Sequence, residues 1–84
     1  VEFFSLSYLI YPIPVNKLMF LEGEDLEEAK ISIVNSIGEN VEVNKTLVSD
    51  KYSFNFENIK SGVYFVIIEN ENSKKTERVV VVHK

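Results

Sequence analysis

Few residues in this chain could do chemistry. His83 is its only histidine and stands next to the C-terminus. No Ser nucleophile motif accompanies it, so it reads as a solvated terminal side chain rather than a general base or a metal ligand. Glu22, Glu24, Asp25, Glu27 and Glu28 crowd one short stretch. They carry enough oxygens for a calcium ion, but their spacing matches no calcium loop such as the EF-hand, and a solvated acidic connector is expected. Tyr52, Phe54, Phe56 and Tyr64 could stack sugars or bases, yet the first three recur at every second residue, the period of a strand's inner face. Asn44-Lys45-Thr46 fits the N-glycosylation sequon, a short pattern that matters only in a eukaryotic secretory pathway. A non-enzyme with no catalytic residue, cofactor or metal site is the expectation.

The 84 residues, 45 % hydrophobic and 26 % charged, suffice for one small domain, read as 1–84, with a modest core. Cysteine is absent, which removes disulfides and thiolate chemistry together. A net charge of −4, with the basic residues scattered, argues against nucleic acid as a partner, because reading a phosphate backbone takes a clustered Lys/Arg face. No apolar run approaches the length of a membrane-spanning helix. Beginning at Val1-Glu2 without a methionine or a basic leader, the chain is expected to be excised from a longer one.

The positions of these residues depend on strands. Asn58-Ile59-Lys60-Ser61-Gly62 is a polar turn that hands over to Val63–Ile68, six apolar residues too few for a core helix and rich in β-branched and aromatic types. That is the pattern of a buried central strand, with Gly62 expected in a turn needing positive φ. Before it, residues 2–11 are β-prone until Pro12 and Pro14 remove backbone donors, which makes this strand an edge or a sheet-switching one. Residues 17–21 form a second short strand, and the acidic connector is expected to wind one turn capped by Asp25. Residues 29–37 and 41–45 are expected to form a hairpin around Gly38, and residues 51–57 a strand with its three aromatics inward. The terminal strand starts polar at Lys74 and ends in Val79, Val80, Val81 and Val82, flanked by Arg78, His83 and Lys84 as charged gatekeepers. About seven strands with frequent turns and no helix predict an all-β, immunoglobulin-like antiparallel β-sandwich, without the Cys…Trp…Cys signature of true immunoglobulin domains. Its core is expected to enclose Ile31, Ile33, Phe54, Phe56, Val63, Phe65 and Ile67, although Val63–Ile68 is apolar on both faces.

Four segments, taken in order, resemble one family: Tyr11-Pro12-Ile13-Pro14-Val15-Asn16-Lys17-Leu18, Ile31 to Val41 with Ile37-Gly38, Ser61-Gly62-Val63-Tyr64, and the valine strand that ends the chain. The chain resembles the C-terminal sorting domain (type A) of type IX secretion cargo over residues 8–84. It departs from the family pattern at Ile13, where asparagine is usual, at Val34, where tyrosine is usual, and in lacking a polar residue between Asn16 and Lys17. The resemblance implies an address carried by an upstream passenger from the periplasm across the outer membrane to the cell surface or the medium. It also implies an outer-membrane shuttle and translocon as partners, together with a surface sortase. Its recognition or fold residues would be Tyr11, Pro12, Pro14, Gly38, Gly62, Tyr64, Val79, Val80, Val81, Val82 and Lys84. An alternative within the same system is a retained domain anchoring a surface component of the machinery. From another class comes a fibronectin-like adhesion or carbohydrate-binding module. An edge strand tethered through the stiff Tyr11–Pro14 segment is also expected to give a strand-swapped homodimer in some conditions.

Overall fold

The computed structural model describes residues 8–23, 26–71 and 73–83. Seven strands run in chain order: β1 (Leu9–Tyr11), β2 (Leu18–Glu22), β3 (Lys30–Asn35), β4 (Asn44–Val48), β5 (Lys51–Asn55), β6 (Gly62–Asn70) and β7 (Ser73–Val81), with one 3-10 turn at Leu26–Glu28. They form two antiparallel sheets, ordered β1-β2-β5-β4 and β3-β6-β7. Four strands against three in this order is the constant-type immunoglobulin arrangement. Asp25, expected to cap the acidic turn, lies outside the described residues, as do Lys84 and the first part of the expected N-terminal strand.

The switch at the prolines is observed. β1 pairs with β2 through Leu9↔Glu22 and Tyr11↔Phe20, but beyond Pro12 and Pro14 the chain changes sheets. Val15 then lies parallel to Val81 of β7, donating to Val80 O at 2.7 Å, while its carbonyl accepts from Val82 N at 2.8 Å. One segment thus ties the two sheets together.

The core between the sheets holds Val15, Met19, Leu21, Leu26, Ile31, Ile33, Phe54, Phe56, Tyr64, Val66, Ile68, Val79 and Val81. Phe54 and Phe56 point inward as their alternation requires, and Leu26 plugs the sandwich from within the acidic connector. Along β6 the inward residues are Tyr64, Val66 and Ile68 rather than the expected Val63, Phe65 and Ile67, which are half-buried on the outer face. Pairing explains the outcome. Residues directly opposite share a face, and the inward Ile31, Ile33 and Val79 stand opposite Ile68, Val66 and Tyr64.

The expected hairpin between residues 29–37 and 41–45 is only a stub. Val34 bridges Asn40 and Val41 N donates to Ile33 O at 2.8 Å, after which the chain crosses to the other sheet and pairs as β4 with β5. A true two-residue hairpin instead joins β4 to β5 around Ser49-Asp50, with Ser49 at φ 56°. Its polar pair tolerates the left-handed region without a glycine to advertise it.

Candidate functional site

The end of the sandwich at which β3 and β7 finish and β2 and β6 begin gathers four separate pieces of chain. These are residues 12–17 before β2, the turn 36–39 after β3, the loop 56–61 before β6, and residues 82–83 after β7. Each is built by local chemistry. Asn35 organises the turn: its Oδ1 accepts from Ile37 N at 3.0 Å and Glu39 N at 2.9 Å. Gly38 supplies the left-handed residue there, at φ 86°. In the 56–61 loop, Asn55 Oδ1 accepts from Glu57 N at 2.9 Å and Phe56 O from Ile59 N at 3.0 Å, while Phe56 N reaches across to Lys17 O at 2.7 Å.

Tyr64 fixes how that loop enters β6. Its ring packs edge-on to Phe56 at 6.3 Å, and its hydroxyl donates to Lys60 O at 2.7 Å, the back-bond of a tyrosine corner. Gly62 has the positive φ expected of it, at the entry to the strand and not within the turn before it. It is the first residue of β6, opposite Val81, with φ 159°, and a Cβ there would stand 3.7 Å from the Tyr64 ring. That distance is an ordinary contact, so it is the positive φ, rarely adopted by L side chains, and not a lack of space that calls for glycine here.

His83 corrects the expectation of a solvated side chain. Its backbone N donates to Ser61 Oγ at 3.0 Å, and Nε2 lies 2.6 Å from Ile59 O, the geometry of a ring N–H donating to a carbonyl. The residue is half-buried and clasps the end of β7 to the loop before β6. Neither this clasp nor the Val15 pairing was visible in residue types, since both join positions remote in sequence.

Pro12, Pro14, Gly38, Gly62, Tyr64, Val79, Val80, Val81 and Val82 therefore meet at or run into one end, and Lys84 lies outside the described residues. Tyr11 does not join them. Its side chain lies on the outer face of the four-stranded sheet, stacked on Phe20 at 5.6 Å, with its hydroxyl donating to Glu22 Oε2. That hydrogen bond, with partial desolvation, raises the Tyr11 pKa above the ordinary tyrosine value. Lys51 completes the group, 3.7 Å from Glu22 and over the Phe20 ring.

In the acidic connector Glu28 is exposed and Glu22 is taken up by Tyr11 and Lys51. No group of three potential metal ligands occurs among the described residues. The aromatics Phe54, Phe56 and Tyr64 are buried in the core and offer no platform.

Large apolar side chains nonetheless stand in water at the end where the segments meet: Ile37 is 77 % exposed, Ile13 48 % and Val82 41 %. They belong to three of the four segments singled out in the sequence. The secretion system C-terminal sorting domain family matches residues 9–82. The chain belongs to this family. It is a type IX sorting domain, a signal for export through that system to the cell surface or beyond. Among solved structures, a chimeric titin Z1Z2 functionalized with a KLER exogenous peptide from decorin is similar, with a TM-score of 0.68 at 13 % identity over 94 % of each chain. That likeness supports the sandwich fold of the sorting domain. No curated protein matches the chain in sequence.

Proposed function

We propose that this sorting domain acts without chemistry of its own, as the address that takes an upstream passenger from the periplasm across the outer membrane. The passenger would then be attached to the surface or released. On this reading, an outer-membrane shuttle and translocon recognise the end of the sandwich where the four segments meet, and a surface sortase acts afterwards. The observation that carries the reading is the exposed trio Ile13, Ile37 and Val82 at that end. Exposed apolar side chains add nothing to the core, and clustered at one end they suit a protein contact.

Deleting residues 79–84 would be a blunt test, because Val79 and Val81 are core residues and the fold would fail with the signal. Surface variants separate the two. A reporter with a periplasmic signal peptide, fused upstream of this domain in cells with type IX secretion, should reach the surface. The double variant Ile37→Ser, Val82→Ser should hold it in the periplasm while leaving the thermal midpoint of the isolated domain nearly unchanged. Val48, 66 % exposed at the opposite end, provides the control, and Val48→Ser should export normally. Normal export by the double variant would reject recognition through this end.

A further inference from the structure

The sorting domain has a second feature on the side of the sandwich away from the seam between Val15 and β7. β3 is the outer strand of its sheet. Asn35 N donates away from β6 to Glu39 O, and Ile33 O accepts from Val41 N. By the alternation of a strand, residues 31, 33 and 35 all turn their backbone groups to this open edge. The returning chain pairs no further, since residues 41–43 leave for β4. Among the described residues, no backbone group meets Ile31 or the N–H of Ile33 on that edge.

What remains is a groove of about 470 Å³ between Lys30–Ile33 and Asn40–Lys45, with Phe54 in its lining. Lys45 lies opposite the inward Phe54 and so points into the gap between the sheets, where Nζ donates to Ile31 O at 3.2 Å. Its ion-pair shell contains no carboxylate among the described residues. A cation covering a strand edge discourages random pairing. It also selects, because a carboxylate is a stronger acceptor for an ammonium group than a neutral carbonyl.

We propose that this edge is a docking site for an extended peptide strand carrying a carboxylate and an apolar side chain two residues apart. The strand would complete the ladder on Ile31 and Ile33, with its carboxylate on Lys45 and its apolar side chain over Phe54 and Val43. The open run Lys30–Ile33 suits roughly four residues of strand at about 3.3 Å each. A second copy of the chain suits it less well, since pairing two β3 edges about a two-fold axis places both Lys45 ammonium groups in one gap. The proposal does not depend on which end of the sandwich the secretion system reads.

The test uses the whole chain, labelled with nitrogen-15, and a blocked hexapeptide of threonine, glutamate, threonine, valine, threonine, threonine. A control peptide carries lysine in place of glutamate. The Ile31 and Ile33 amides should shift and exchange more slowly with the glutamate peptide, and the lysine peptide should bind about tenfold more weakly. Lys45→Glu should reverse that preference, an inversion that loss of structure cannot produce. The proposal is overturned if millimolar peptide leaves those amides unmoved, if shifts fall on β1 or β7 instead, or if the preference survives Lys45→Glu. Concentration-dependent protection of Ile31 and Ile33 without peptide would also overturn it, by making a second copy the occupant.

Discussion

Tyr64 separates two contributions that a single side chain makes to this fold. Its ring fills core space against Phe56, and its hydroxyl closes the turn before β6 through Lys60 O. Tyr64→Phe keeps the ring and should lower the unfolding free energy by about 1 kcal/mol, the net worth of one hydrogen bond. Tyr64→Ala should lower it by about 3–5 kcal/mol, as loss of a large core aromatic does. Chemical denaturation of the three chains measures both, and equal losses would mean that the ring carries nothing. Residues of this kind were partly legible in the sequence. The Ser61-Gly62-Val63-Tyr64 stretch marked the place, but the carbonyl that receives the hydroxyl is set by the path of the turn. His83 was misread for the same reason: a lone terminal histidine carries no local sign that Ile59 O waits 2.6 Å away.

At the scale of elements, alternation decided most of the fold. Strands with one apolar face, such as β5, could be oriented from their residues alone. β6 could not, because Val63–Ile68 offers apolar side chains to both sides and only its pairing with β3 and β7 selects one. The selection is measurable. Val66→Ala, at a fully buried position, should cost about 2 kcal/mol, whereas Val63→Ala on the half-buried outer face should cost about 1 kcal/mol or less. Denaturation midpoints in the reverse order would put the strand the other way round. The β4–β5 hairpin escaped sequence reading because Ser49 takes positive φ where Gly or Asn is the usual signal. The groove beside β3 escaped it because an unfinished hairpin is defined by where pairing stops, which no residue type records.

For the whole molecule, the four motif segments were legible as separate signals, and their meeting at one end emerged only from the topology. The seam that joins the sheets bears on assembly. β1 is held to β2 by three residue pairs, and a short proline-containing segment separates it from β2, so β1 can pass to a neighbour with few contacts broken. Sedimentation should show a monomer with a slowly exchanging dimer that grows with concentration, and a monomer alone at every concentration would count against the exchange. The same seam has a mechanical side. β1 runs toward the end where β7 finishes, since Val15, shortly after it, lies beside Val81, and the first residue of β1 accordingly stands toward the opposite end. Tension between a passenger and a machine gripping the valine strand would therefore pull along the strand axes. The Val15–β7 bonds would be loaded together in shear instead of opening one at a time, and the domain would resist traction through its unfolding barrier more than through its equilibrium stability.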